Sequence, residues 1–361
     1  MFSAADHAFM ARALALAANG RDTATPNPGV GCVIAKGGRV IGEGWHARAG
    51  APHAEAAALA ACSESPEGAT VYVTLEPCNH HGRTPPCTEA LVAAKVARVV
   101  AAIEDPDPRT KGEGLRRLAI AGVRAEAGLM TEQAREAHRG FLARVSRGRP
   151  WMRLKVAATL DGRTALANGK SQWITGEAAR RDVHRLRAQS CAVLTGIGTV
   201  QRDNPRLTVR DFPCSRQPLK AVIDSRLDLA PGAALFEGGN LLVITVSDDA
   251  ARRHALEALG ARVVVVAKEG AKTDLAAAAR ALCAEGLNDV LVETGAKLNG
   301  SLLRAGVIDE LIVYIAPALF GDAGLGMFAL PELASVDDRM RLTFHEVRQV
   351  GADLRVTARL A

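Results

Sequence analysis

The sequence predicts an α/β protein built as two domains. Three observations carry that prediction. The chain has 361 residues, against about 150 for an ordinary domain. Short apolar runs alternate with helix-length amphipathic stretches through both halves. Near the middle, Ser146-Arg-Gly-Arg-Pro150 interrupts a helical pattern, and Trp151-Met-Arg-Leu-Lys-Val-Ala opens a strand. The boundary is placed at 146/147, giving domains 1–146 and 147–361, each long enough for its own core.

In the first domain Ser3 can cap a helix ending near Gly20. Gly31 to Ala35 and Arg39 to Gly44 read as strands joined by the Gly37-Gly38 hairpin signal. A helix from Pro52 to Cys62 follows, then a strand from Thr70 to Leu75. Next come a helix over Thr88 to Lys95, a strand over Arg98 to Ile103, a helix over Glu113 to Ala121 and one helix over Thr131 to Val145. The second domain has strands at Arg153 to Ala157, Ala192 to Thr195, Lys220 to Asp224, Leu241 to Thr245, Arg262 to Val266, Asp289 to Glu293 and Glu310 to Ala316. Its helices fall at Gly176 to Gln189, Asp249 to Leu259 and Asp274 to Ala284. Two strand-like runs, Arg341 to Val347 and Asp353 to Leu360, close the chain. No internal repeat is present.

Composition narrows the function classes. At 48% hydrophobic, 23% charged and 4% aromatic residues, the chain is neither disordered nor collagenous nor a coiled coil. Its longest apolar runs, such as Leu311 to Ile315 and Val263 to Ala267, are strand-sized, far short of the about 20 residues that span a membrane. The first residues lack a basic leader and read as an amphipathic helix, so a cytoplasmic protein is expected, with no membrane partner. Forty-five Lys and Arg against 39 Asp and Glu leave +6, spread along the chain. That is a solvated surface or an affinity for phosphorylated small molecules, without the clustering of a nucleic-acid footprint. Seven cysteines form a sparse, odd set, which favours metal ligands and buried thiols over disulfides.

The strongest local signal is His53-Ala-Glu55 at a helix start, then Pro77-Cys78 just after a strand, then Cys87. One imidazole and two thiolates leave a fourth tetrahedral position open, which is the pattern of a catalytic zinc. Such a site brings hydroxide within reach of neutral pH. Glu55, two residues past His53, can stand beside the metal and shuttle protons. Zinc deaminases carry a related His-x-Glu…Pro-Cys-x-x-Cys signature, from which the eight residues between Cys78 and Cys87 depart. Cys32 and Cys62 read as packing residues.

In the second domain, Asp289-Val-Leu-Val-Glu293 runs through Thr294-Gly-Ala-Lys-Leu-Asn-Gly-Ser301, a strand leading by a glycine-bearing turn into a helix. Backbone N–H groups at such a helix start suit phosphate. The segment is not a phosphate-binding loop of the Walker type, since Ser301-Leu302 follows Gly300. No Gly-x-Gly-x-x-Gly fingerprint is present either, because Gly196-Ile-Gly198 continues as Thr-Val-Gln. A Rossmann dehydrogenase is therefore disfavoured.

Thr25-Pro-Asn-Pro-Gly-Val-Gly31, His53-Ala-Glu55 and Thr74-Leu-Glu-Pro-Cys-Asn-His-His-Gly-Arg-Thr-Pro-Pro-Cys87 resemble the bifunctional riboflavin-biosynthesis deaminase/reductases. The resemblance extends through Leu154-Lys-Val-Ala-Ala-Thr-Leu-Asp-Gly162, Ser171-Gln-Trp-Ile-Thr175, Asp203-Asn-Pro-Arg-Leu-Thr-Val-Arg210 and Ile223-Asp-Ser-Arg226. It implies a cytidine-deaminase-like three-layer domain followed by a dihydrofolate-reductase-like domain, with Zn2+ and NADPH as cofactors. It implies His53, Cys78 and Cys87 as zinc ligands and Glu55 as the catalytic proton shuttle. Asn27, His46, Arg83 and Asp105 would hold a pyrimidine ribotide. In the second domain Ala157, Trp173, Thr199, Asp203, Ser225 and the run Gly295, Ala296, Lys297, Leu298, Asn299, Gly300 and Ser301 would contact NADPH. Ala296 departs from a pattern with a second glycine. Ser171, Arg187, Leu207, Arg210 and Glu293 would contact the substrate, with Arg187 and Arg210 suited to grip its phosphate bidentately. Ser225-Arg226 would favour a 2′-phosphate.

The implied activity is deamination of 2,5-diamino-6-(5-phosphoribosylamino)pyrimidin-4(3H)-one followed by reduction of the ribosyl group to ribityl. A homo-oligomer is expected. Two other readings remain. A zinc nucleic-acid deaminase with an appended binding domain would need clustered basic and aromatic residues, and the aromatics here are sparse. A zinc-stabilised binding protein would need a fourth ligand, which His80 or His81 could supply.

Overall fold

The computed structural model describes residues 1–81 and 85–360 and divides into two compact units, Met1–Gly148 and Arg149–Ala361. The division falls two residues past the predicted 146/147, because the helix before it runs on to Arg147 and stops at Gly148, whose φ of +65° is a left-handed helix end. Arg149 already belongs to the second unit. Its guanidinium pairs with both carboxylate oxygens of Asp309 at 2.6 and 2.9 Å, and Asp309 also accepts from the Met152 amide.

The first unit contains α1 (Ala4–Ala17), β1 (Gly31–Lys36), β2 (Arg39–Trp45), α2 (Ala54–Ala60), β3 (Thr70–Val73), α3 (Cys87–Ala93), β4 (Arg98–Ala101), α4 (Glu113–Ile120), β5 (Arg124–Ala127), α5 (Thr131–Ala137) and α6 (Arg139–Arg147). Its five-stranded sheet has the order β2-β1-β3-β4-β5. β1 runs antiparallel to β2 and β3, while β3, β4 and β5 are parallel. The Gly37-Gly38 turn joins β1 to β2 as predicted. Helices pack close where glycine permits it: a Cβ on Gly44 would lie 2.4 Å from the Ala58 amide nitrogen of α2.

Ser3 caps α1 with Asp6 in a reciprocal capping box. Asp6 also accepts from the Tyr72 hydroxyl and from Arg98, both at 2.7 Å. One prediction fails locally, and one strand lacks a sequence signal. The single helix over Thr131 to Val145 is broken at His138, whose buried ring bonds the Thr74 hydroxyl at 3.0 Å, away from the helix line. β5 carries no apolar run; it pairs with β4 through backbone bonds and an Arg98–Glu126 ion pair.

The second unit contains β6 (Trp151–Thr159), β7 (Arg163–Ala165), α7 (Glu177–Ala188), β8 (Ala192–Gly196), α8 (Ile197–Asp203), β9 (Leu219–Ile223), β10 (Leu241–Thr245), α9 (Ala250–Ala258), β11 (Ala261–Val265), β12 (Lys268–Glu269), β13 (Lys272–Thr273), α10 (Leu275–Ala284), β14 (Asp289–Val292), α11 (Ala296–Arg304), β15 (Glu310–Ala316), β16 (Leu325–Gly326), β17 (Leu342–Val350) and β18 (Asp353–Leu360). The nine-stranded sheet has the order β11-β10-β9-β8-β14-β6-β15-β18-β17. The strands from β11 through β15 are mutually parallel, β18 pairs antiparallel with β15, and β17 pairs antiparallel with β18. Their near-continuous burial is that of a sheet covered on both faces. The short helix α8 was not predicted. No helix among the described residues is long and apolar enough to cross a membrane.

Candidate active sites

In the first unit, strand direction brings the candidates to one end of the sheet. Asn27 precedes β1, His46 follows β2, Cys78 follows β3 and Asp105 follows β4. His53 is the N-cap residue of α2, extended with φ −67° and ψ 164°, and Cys87 opens α3. His53 Nδ1 lies 3.5 Å from the Cys78 sulfur and 3.4 Å from the Cys87 sulfur, and the three ligand atoms all fall within 4.8 Å of one another.

The electrostatics of this cluster suit a cation. The hydrogen bond from the Cys87 thiol, with help from His53, holds Cys78 down to about 4, while sharing that proton and burial push Cys87 up. The pair thus carries a negative charge beside an imidazole, and an N/S₂ donor set fits zinc. Glu55, one residue into α2, is buried. Burial and the adjacent Cys78 sulfur raise its carboxyl to about 7.

His46 stands edge-on to His53, ring centres 5.2 Å apart. Its Nδ1 faces the Pro52 carbonyl at 3.0 Å and must carry the proton, so Nε2 accepts from the Asn27 amide at 3.0 Å. Burial lowers the His46 pKa and keeps the ring neutral. Asp105 is also buried and is raised to about 6 by desolvation first, and by the nearby Asp107 and Glu76 charges. Arg83 lies outside the described residues. His80 is placed near the Thr110 hydroxyl, at 3.4 Å, and the exposed His81 faces Glu89.

In the second unit the candidates gather at the C-terminal ends of parallel strands, where open α/β sheets bind ligands. Thr199 follows β8, Ser225 follows β9, Glu293 follows β14 and Ala157 lies in the last part of β6. A Cβ on Gly295 would lie 3.9 Å from the Thr199 hydroxyl oxygen, which sets the starts of α8 and α11 side by side. Gly295 caps α11 with no side-chain hydrogen bond, leaving the first N–H groups of that helix for a ligand.

The run Gly295 to Ser301 does not act as one surface. Asn299 is buried and bonds Thr294 and the Met327 carbonyl, and a Cβ on Gly300 would lie 2.1 Å from the Ala329 oxygen. Ser301 bonds back to the Lys297 carbonyl at 3.0 Å. At about 100° per helical residue, the run turns through more than one face of α11, and its first turn, Gly295 to Leu298, carries the open helix start. The Asn299 side chain and the Gly300 Cα both face the 327–329 segment. Asp203 ends α8 on the surface.

Arg187 also differs from expectation. Its fork is taken by Glu293, at 2.7 and 3.0 Å, and its remaining nitrogen donates to the Thr208 carbonyl at 3.1 Å. A bidentate grip on phosphate is not the arrangement here, whereas Arg210 is exposed beside it, with burial and the Arg187 charge lowering its pKa. Leu207 is buried with φ +54°, so it can face a ligand only through its main chain. Ser225 shares its hydroxyl with Thr273 at 2.9 Å, and Arg226 pairs with Asp228. Trp173 is 71% exposed, one face under the Arg180 guanidinium at 4.7 Å, and Ser171 sits in the same loop.

Lys155 was missed by sequence reasoning. It projects from the middle of β6 to within 3.4 Å of Glu293, and with Arg187 it holds that largely enclosed carboxylate well below the usual range against the opposing effect of desolvation. A lysine inside a buried strand was the available signal.

The comparisons agree with this division. A family model for the cytidine and deoxycytidylate deaminase zinc-binding region matches residues 3–103, and one for the RibD C-terminal domain matches residues 150–356. The riboflavin biosynthesis protein RibD of Escherichia coli (strain K12) is 47% identical over 362 residues, covering 97% of this chain and 98% of that protein. The structure of Acinetobacter baumannii RibD superposes with a TM-score of 0.92 at 40% identity, covering 99% of each chain. A Thermotoga maritima diaminohydroxyphosphoribosylaminopyrimidine deaminase/5-amino-6-(5-phosphoribosylamino)uracil reductase does so at 0.87 and 33%, again over 99% of each. With both halves matched and relatives aligned end to end, the chain belongs to the RibD family of riboflavin biosynthesis proteins, which join a zinc-dependent deaminase to an NADPH-dependent reductase.

Proposed function

We propose that the first unit hydrolytically deaminates 2,5-diamino-6-(5-phosphoribosylamino)pyrimidin-4(3H)-one and that the second reduces the ribosyl group of the product to ribityl. The observation that carries the first half is the convergence of His53, Cys78 and Cys87 beside the buried carboxyl of Glu55. Those three residues would hold the zinc, which supplies Lewis acidity and brings hydroxide within reach near pH 7. Glu55, with a carboxyl raised to about 7, takes a proton from the attacking water and delivers it to the departing amino nitrogen. Asn27 and Asp105 orient the pyrimidine, and His46 fixes the direction of the Asn27 amide.

In the second unit the first turn of α11 and Thr199 would receive the NADPH phosphates, and NADPH supplies the hydride. The Arg187–Glu293 pair forms one wall of the substrate site, and Arg210 is the guanidinium open to the ribotide phosphate. Lys155 is the half-buried cation positioned to give up a proton as hydride arrives. We assign the enzyme to the cytoplasm, a reducing compartment in which the thiols of Cys78 and Cys87 stay available to a metal. We also assign the chain a homo-oligomeric state, supported by the edge strand β17 with Phe344 73% and Val347 56% exposed; sedimentation velocity reads it directly.

The deciding experiment is product analysis on the diaminopyrimidine ribotide. Without NADPH only ammonia and the deaminated ribotide should form, and with NADPH the ribityl product should follow. Release of no ammonia by the zinc-loaded protein would defeat the proposal.

A further inference from the structure

One buried carboxylate with no role so far holds several pieces of the deaminase half at once. Glu76 follows β3, two residues before Cys78, and is 3% exposed. Its Oε2 accepts from the amides of Asp105 at 3.0 Å and Gly112 at 2.9 Å, and its Oε1 accepts from the Leu115 amide at 3.1 Å. These donors span the loop after β4 and the first turn of α4. Gly112, the N-cap of α4, is left-handed at φ +79° and has no side chain to cap with, so Glu76 satisfies the helix start from outside. Gly114 completes the contact: a Cβ there would lie 2.1 Å from the Pro77 carbonyl oxygen. The start of α4 therefore rests its backbone on the Glu76-Pro77 segment that leads into Cys78.

We propose that Glu76 is a positioning residue of the deamination site, locking the Asp105 loop to the Cys78 segment so that Asp105 meets the pyrimidine at a fixed place relative to the metal ligands. Backbone N–H bonds to a carboxylate are stronger than neutral ones, and three converging on one side chain allow a single position of the loop. A glutamine keeps one acceptor oxygen and turns an NH₂ group toward at least one N–H donor. The inference rests on Asp105 being a substrate contact.

The test uses the full-length zinc-loaded protein and compares E76Q, G114A, D105A and the E76Q/D105A double variant. Deaminase KM and kcat and zinc content are measured, and reductase activity serves as the control on integrity. E76Q should raise KM about tenfold while zinc content and reductase activity stay at wild-type values. G114A should reproduce that shift, and the double variant should be no worse than D105A alone. If D105A leaves KM unchanged, the substrate role of Asp105 fails, and the proposal with it. If D105A raises KM and E76Q multiplies that rise, Glu76 does not act through Asp105 and the proposal alone is overturned. Zinc lost from E76Q in step with activity would overturn it as well, leaving only support of the ligands. Should E76Q not fold, G114A carries the KM measurement, and hydrogen exchange on the wild-type protein must show the 104–116 peptide protected. Exchange there at exposed-loop rates would refute the lock.

Discussion

At Glu55, burial and the Cys78 sulfur bring a carboxyl to about 7, so both of its protonation states are populated near neutral pH. Glu55→Gln keeps the shape and the neighbouring ligands but cannot cycle a proton. Deamination should fall about 10²- to 10⁴-fold with zinc content and reduction unchanged, checked by metal analysis and separate assays of the two steps. Asp6 gives the opposite kind of titration. Burial pushes its pKa up, but bonds from Tyr72, the Ser3 amide and Arg98 outweigh that and hold it well below the usual range. A depressed folded-state pKa contributes stability above the unfolded value of about 4 and loses it as pH falls further. Asp6→Asn should therefore destabilise the first unit by about 3 kcal/mol at pH 7, and the gap should close progressively below about pH 4 in denaturant titrations. His53, Glu55, Cys78 and Cys87 were legible in the sequence because short motifs flank element ends. Lys155, Arg187 and Glu293 were not legible as a unit, because the strands and helix that carry them are far apart in the chain and a paired charge looks the same as a solvated one.

β6 delivers Lys155 to the site, and the strand is buried around it, so the ammonium is held by its partner and not by solvent. Lys155→Met preserves the strand's volume and removes the charge. Reduction should drop about 10²-fold or more with NADPH affinity nearly unchanged and deamination intact, as read by single-turnover oxidation of NADPH. The elements themselves followed from period and punctuation wherever a stretch was governed by its own sequence. The expected helix failed where a tertiary contact decided, since His138 leaves the helical line for Thr74, and β5, which has no apolar run to announce it, exists because β4 offers it a backbone edge. The Gly295 to Ser301 run shows the same limit. The resemblance marks the whole segment, yet helical rotation turns Asn299 and Gly300 toward Met327 and Ala329.

For the whole molecule, the division at Gly148 and the anchoring of Arg149 on Asp309 predict where the chain can be cut. A fragment of residues 149–361 should bind NADPH and reduce the deaminated ribotide without zinc, measured by cofactor fluorescence and product analysis. A folded fragment that never binds NADPH would contradict the reductase assignment. The sheet of the first unit has a further consequence. Its described candidate residues occupy one end, and the Gly37-Gly38 turn closes β1 onto β2 at the other. Both glycines are left-handed, with φ +56° and +76°, and a Cβ on either would meet nothing within 4 Å. That turn is a permissive seam: a foreign peptide spliced between Gly37 and Gly38 would hang from the hairpin as cargo. Such a graft should leave zinc content and ammonia release at wild-type levels, and so give the enzyme a reporter at the pole remote from its chemistry.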